Sequence, residues 1–400
     1  MPTVFDKCFA FTTAQEARDG GLYPFFLPIG QNEGTKVWID GKEMVMFGSN
    51  NYLGLANDER LKEASKAAID HYGTSCSGSR FMNGTLELHE ELEHKLAKFL
   101  HKESALCFTT GYQSNLGALS ALVNTNEHFL IDKYDHASIM DGLFLAQGMK
   151  RGINLHRFKH NDVEDLERLL AKIPHAEGKV IVIDGVFSME GDITPLPAIR
   201  ALADQYNAAL YLDEAHAVGV LGESGRGTCE YYGGDYALSD ITMCTFSKSF
   251  GSIGGFVAGD NAVVDYIKHF ARPLIFSASM PPANLAAAIK ALEIIESEPE
   301  RIARLRHNGD LLREGLQALG FDTGESETPI IPLIVGDNDK TFLLWKNSFE
   351  RGLYVNPVIS PAVPPQRSLL RISCMATHDE QQIEFAIEVL KEEGAKLGLI

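Results

Sequence analysis

"KVIVIDGVFSMEGDITPLPAIRALADQYNAALYLDEAH", residues 179–216, reads as strand, helix, strand. Its ends, "KVIVIDGVFS" (179–188) and "AALYLDEAH" (208–216), are too continuously apolar for strands wetted on one face, and they suit a parallel sheet covered on both faces. Between them, "LPAIRALADQY" (196–206) carries its apolar residues at helical spacing, so the segment predicts a crossover unit. Outward from it, "ALCFTT" (105–110), "HFLID" (128–132) and "ITMCTFS" (241–247) are strand-like, and "GGFVAGD" (254–260) reads as another strand. Leu116, Leu119 and Val123 recur at helical spacing after the first of these, and "VEDLERLLAKI" (163–173) precedes the strand at 179. This alternation predicts a doubly wound α/β unit with a mainly parallel sheet.

After "MPP" (280–282) the character changes to long charged helices, mixed strands and a closing helix. The last helix is predicted to open on a Thr377–Glu380 capping box and to bury Ile383, Ile387 and Leu390 along one stripe. The expected organisation is an N-terminal arm (1–56), a large α/β domain (57–290) and a smaller α+β C-terminal domain (291–400). At 400 residues, one large domain with a smaller appended one is the natural expectation.

Acidic residues outnumber basic ones 54 to 36, a net charge of -18, which argues against nucleic-acid binding through a broad cationic face. Local cationic groups, Lys150-Arg151 or Lys268 with Arg272, can receive an anion or simply cap solvated helix ends. Six cysteines without a CxxC pair suggest neither a zinc site nor a disulfide framework and fit a reducing cytoplasm. "MPTVFDKCFAF" (1–11) lacks the basic start and apolar stretch of a signal peptide, and no run is long enough to span a bilayer. The expectation is a cytoplasmic protein, with membrane contact at most peripheral.

Polar residues cluster at the predicted strand ends, where ligands collect in open parallel sheets. In "FTTGYQSN" (108–115) the amides of Gly111 and Tyr112 open a helix and can hold a phosphate, although a plain strand-to-helix turn has the same letters. "YLDEAHAVG" (211–219) puts Asp213 and His216 after a strand. Its DEAH suggests no helicase, because no GxxxxGK[ST] loop precedes it. His136 and Ser188 occupy two more strand ends, where a helix cap is the plain reading. "HEELEH" (89–94) spaces its histidines five apart and reads as a solvated helix face, not HExxH, and "GESGRG" (222–227) reads as a loop. "TFSKSFGSIGG" (245–255) sets Lys248 between two serines, either as a solvated turn residue or as an amine aimed into a pocket.

Together these give amides and hydroxyls, a carboxylate, a flat ring and an amine, the partners a pyridine cofactor with a phosphate and an aldehyde requires. That cofactor is pyridoxal phosphate. The chain resembles the α-oxoamine synthase family of fold-type I pyridoxal-phosphate enzymes through "SNNYLGL" (49–55), "GTSCSGSRFMNGT" (73–85), "DHASIMDG" (135–142), "DGVFSMEGD" (184–192), "DEAHAVGVLGESGRG" (213–227), "TFSKSFGSIGG" and "RPLIFSASMPP" (272–282). The resemblance covers nearly the whole chain. "FKHNDVEDLE" (158–167) and "GLYVNPVISPAVPP" (352–365) look most like the members that condense L-serine with a long-chain acyl-CoA.

The resemblance implies roles residue by residue. Lys248 bonds covalently to the cofactor aldehyde, Asp213 pairs with the ring nitrogen, and His136 stacks on the ring and helps place the amino acid. His216 and Ser188 bond the phenolic oxygen, while Thr245, Ser247, Gly111 and Tyr112 hold the phosphate. Ser277 reaches the phosphate from a neighbouring subunit, which implies a homodimer. Arg371, with Asn51 nearby, receives the substrate carboxylate. No metal is implied. One departure stands out: Ile359 occupies the place of a mobile arginine found in some relatives, which shifts the carboxylate grip towards Arg371 and leaves glycine, alanine or cysteate open as the acceptor. "PVISPAVPP" lines an acyl path or packs as a rigid loop. Competing readings are an inactive lipid-binding or regulatory homologue, and an aminotransferase releasing no carbon dioxide.

Overall fold

The computed structural model describes residues 3–149 and 152–400, so the Lys150-Arg151 pair lies outside the described residues. Fourteen strands lie there, beginning with β1 (Gln31–Glu33), β2 (Lys36–Ile39) and β3 (Lys42–Met46). Next come β4 (Ser104–Phe108), β5 (His128–Asp132), β6 (Asn154–Phe158), β7 (Lys179–Asp184), β8 (Ala209–Asp213), β9 (Ile241–Thr245) and β10 (Gly255–Gly259). The last four are β11 (Ile330–Ile334), β12 (Leu353–Tyr354), β13 (Asn356–Val358) and β14 (Leu369–Ser373).

The central sheet runs β4-β10-β9-β8-β7-β5-β6. Pairing is parallel from β9 to β6, while β10 is antiparallel to both its neighbours. Within it Leu130, Ile181, Ile183, Leu210 and Leu212 face one hydrophobic cluster, and Phe129, Ile131, Val182 and Tyr211 face the other. All nine are completely buried, as the period-two alternation of a doubly covered sheet demands. The last residues of β5, β7, β8 and β9 are Asp132, Asp184, Asp213 and Thr245, so the same edge that ends the apolar runs collects four polar side chains.

A second sheet, β11-β14-β13, is antiparallel, and a third, β1-β2-β3-β12, joins residues 31–46 to residues 353–354 through parallel β3–β12 pairing. The closing helix, Glu380–Lys396, opens two residues later than the sequence predicts. Asp379 accepts from the Gln382 amide at 2.8 Å, and Gln382 Oε1 accepts from the Asp379 amide at 3.2 Å. In "HEELEH", His89 is buried and accepts from the Leu86 amide through Nδ1 at 3.0 Å, so it lies off the solvated face, which Glu90, Glu91 and His94 form.

Candidate active site

Beyond β9 the chain turns tightly, with Phe246 and Phe250 anchored in the core 5.2 Å apart and Phe246 stacked on Phe256 at 5.4 Å. Gly254 (φ 129°) permits that turn, since a Cβ there would lie 2.6 Å from Met280 and 2.8 Å from Phe246. The anchored turn presents Lys248 to a cavity of about 270 Å³ that is also lined by His136, Asp184, Asp213, His216, Thr245 and Ser247. Burial lowers the Lys248 amine to about 8, against the opposing pull of Asp213 and Asp184.

Asp213 is buried at the cavity wall and oriented twice, by Asn115 Nδ2 on Oδ2 at 2.7 Å and by the Ala215 amide on Oδ1 at 3.0 Å. Asn115 is itself fixed, since its Oδ1 accepts from Tyr211 at 2.8 Å and its Nδ2 also reaches Ser138 Oγ at 2.8 Å. Ser138 in turn meets His136 Nδ1, through Oγ at 2.7 Å and its amide at 3.2 Å. Burial lowers the His136 pKa, which favours a neutral ring, and with Nδ1 accepting the Ser138 amide its proton belongs on Nε2. Asp184 stands beside Asp213 in register on β7, lines the cavity, and has its Oδ1 buried with no hydrogen-bond partner among the described residues. Burial and the neighbouring carboxylates push its carboxyl well above the usual range.

At the other end of the cavity the helix Gly111–Leu122 begins, with Thr110 Oγ1 accepting from the Gln113 amide at 3.1 Å. The Gly111 and Tyr112 amides have no partner within the helix and form its positive end. Gly111 is required by close approach, since a Cβ would lie 2.7 Å from Thr245. Thr245 Oγ1 lies 2.8 Å from Ser247 Oγ and 3.0 Å from the Gly254 carbonyl oxygen, so two hydroxyls join the two amides.

Arg371 on β14 is buried behind the cavity and does not line it. It donates to the Ser188 carbonyl (2.6 Å), Ser373 Oγ (2.8 Å) and the Tyr52 hydroxyl (3.4 Å), and that hydroxyl sits 2.7 Å from His216 Nδ1. Burial, Lys248 and Arg371 hold the His216 pKa well below the ordinary histidine value. The neutral ring shares a hydrogen bond with the Tyr52 hydroxyl, which also reaches Asn50 Oδ1 at 3.3 Å.

Besides Arg371, three more of the expected residues stand off the cavity. Ser188 lines a second cleft of about 620 Å³ that shares His136 and is walled by residues 360–364. Ser277 accepts from Gln113 Nε2 at 3.2 Å, and Asn51 Oδ1 accepts from the Ala56 amide at 3.1 Å. Asn115, Tyr52 and Asp184 are the site residues that sequence reasoning passes over.

A family model described as "Aminotransferase class I and II" matches residues 42–390. The chain belongs to the class I and II aminotransferase family. Within this aminotransferase family, a serine palmitoyltransferase of Sphingobacterium spiritivorum is 49% identical, covering 94% of this chain and 93% of its own. An 8-amino-7-oxononanoate synthase of Geobacter sulfurreducens is 43% identical, covering 96% of this chain and 98% of its own. A solved serine palmitoyltransferase carrying pyridoxal phosphate matches with a TM-score of 0.93 at 35% identity, covering 99% of this chain and 98% of that one. The fold is therefore that of the fold-type I transferases in the aminotransferase family, as the resemblance to α-oxoamine synthases implies.

Proposed function

We propose that this chain is a pyridoxal-phosphate-dependent serine palmitoyltransferase, joining L-serine to a long-chain acyl-CoA with release of CoA and carbon dioxide to give 3-ketosphinganine. The observation that carries the reading is a single cavity lined by the Lys248 amine, the Asn115-held Asp213 carboxylate and, at its far end, free helix amides beside two hydroxyls. That donor set fits the cofactor. Pyridoxal phosphate supplies an aldehyde that condenses with amines and a ring that accepts the electron pair left when an α-proton is removed.

Lys248 would be the residue that holds the cofactor's aldehyde, and its amine is placed to take a proton from the substrate α-carbon and to return one there. Its pKa of about 8 leaves part of the amine unprotonated near neutral pH. Asp213 would pair with the ring nitrogen and favour its protonated form, His136 would offer a flat face and His216 would serve the phenolic oxygen, with Ser188 reaching towards it from the neighbouring cleft. Gly111, Tyr112, Thr245 and Ser247 hold the phosphate. Arg371, already oriented by Tyr52 and the Ser188 carbonyl, receives the serine carboxylate, with Asn51 close in sequence to Tyr52. The cleft walled by residues 360–364 admits the acyl donor beside His136. Ser277 reaches the phosphate of a second subunit, so the working unit is a homodimer. The same reading divides the chain into an arm (1–56), a cofactor-binding domain (57–290) and a closing domain (291–400). It works in the cytoplasm, and among the described residues no helix is long and apolar enough to cross a membrane.

The test is to mix purified protein with serine, glycine, alanine or cysteate and a long-chain acyl-CoA. Serine is expected to release CoA and carbon dioxide, and Lys248→Ala to lose both turnover and the cofactor's protein-bound absorption band. A second reading keeps the site and changes the substrates, with alanine as acceptor, and the similarity to a relative named 8-amino-7-oxononanoate synthase favours it. Release of CoA with alanine and not serine would establish that reading instead.

A further inference from the structure

The "FKHND" segment, residues 158–162, has no part in the cavity itself, yet His160 makes two close contacts at the sheet edge. Its Nδ1 lies 3.0 Å from Asp132 Oδ1 and its Nε2 lies 2.8 Å from Asp192 Oδ2. Carboxylates only accept, so a ring engaged this way at both nitrogens carries a proton on each and is a cation. Asn161 repeats the grip, with its amide on Asp132 Oδ2 at 2.8 Å and its Nδ2 on Asp192 Oδ2 at 3.0 Å.

The two carboxylates belong to different loops. Asp132 starts the turn that ends in His136: it accepts from the Tyr134 amide at 2.8 Å, while Asp135 accepts from the Asp132 and Asp184 amides at 2.8 and 3.0 Å. Asp192 closes the loop over residues 187–192, whose Ser188 carbonyl takes the Arg371 guanidinium. We propose that His160 is a positioning residue for the reaction: a cationic bridge that holds the His136 turn and the Arg371-binding loop in fixed relation by gripping Asp132 and Asp192.

The groups facing His160 are the carboxylates of Asp132, Asp192 and Glu190, the Phe187 ring edge-on at 4.4 Å and the Tyr134 ring tilted at 4.6 Å. The two hydrogen-bonded carboxylates outweigh burial and raise the imidazole to about 10, so the bridge stays charged across the physiological range. The proposal rests on the reading of Arg371 and His136 as amino-acid contacts.

The test uses the holoenzyme and His160→Gln, with Asp192→Asn as a second variant that keeps the ring and its Asp132 contact. Hydrogen exchange read by mass spectrometry is expected to quicken at least tenfold in peptides covering 132–138 and 185–192 and to stay unchanged in the helices Glu59–Tyr72 and Pro282–Ser297. The KM for L-serine is expected to rise at least tenfold while the KM for the acyl-CoA and the cofactor stoichiometry hold. Unchanged exchange in both loops, an unchanged serine KM, or equal rises in both KM values would overturn the bridge. Should His160→Gln fail to fold, Asp192→Asn carries the same expectations. If the unmodified protein turns over no serine, the functional reading fails, and the exchange comparison still decides the bridge.

Discussion

Lys248 shows how a local motif and a distant environment share the work at a single residue. The letters "SKS" after an apolar strand leave a solvated turn and a pocket amine both open, and only the resemblance points to the pocket; the lowered pKa depends on burial, Asp213 and Asp184, which no short motif contains. Loading of pyridoxal phosphate onto cofactor-free protein should therefore quicken with pH through a midpoint near 8, followed as growth of the bound absorption band. The sign extends to stability: between pH 8 and the unfolded lysine value of 10.5 the unfolded chain keeps a proton that the folded one has released, so this group's contribution grows as pH rises. Asn115 was not readable. Its bond to Asp213 joins residues 98 positions apart, and nothing in "GYQSN" points across that distance. Asn115→Ala would leave Asp213, Tyr211 and Ser138 each short of a partner. A loss of about 2 kcal/mol in thermal or denaturant unfolding is expected, together with weaker cofactor retention on dialysis.

At the scale of elements, the strands that sequence located best are the ones buried on both faces. β5 coincides with the predicted "HFLID", because a run apolar on both faces needs no partner to be recognised. β6 was missed because it is the sheet edge, with only Phe158 of "NLHRF" buried, so its pairing rather than its composition makes it a strand. The antiparallel course of β10 was equally hidden, since "GGFVAGD" reads alike in either direction. The helix Gly111–Leu122 approaches β9 only because position 111 lacks a side chain. Gly111→Ala is expected to cost about 1–3 kcal/mol through overpacking and to weaken pyridoxal phosphate binding in equilibrium dialysis. Retained affinity would show that the helix start does not need this approach to Thr245.

Across the whole molecule, apolar surface remains on the arm: Phe5 is 63% exposed, Phe9 84%, Phe11 66% and Phe26 94%. Four exposed phenylalanine rings near one end of the chain are expected to be covered by a second copy, and Ser277 standing off its own cavity fits that expectation. Sedimentation of the purified protein should report two chains per particle. Removing residues 1–29 should leave single chains with diminished activity, and a dimer unaffected by that truncation would place the interface elsewhere. This level of organisation was inferred from family likeness alone, since composition does not distinguish an uncovered face from a covered one.

The parallel pairing of β3 with β12 sets residue 45 beside residue 353. A growing polypeptide therefore exposes the open edge of its first strands until most of its length has left the ribosome. The hairpins of β1, β2 and β3 can form from neighbouring residues, so what must wait for the C-terminal region is the single seam between β3 and β12.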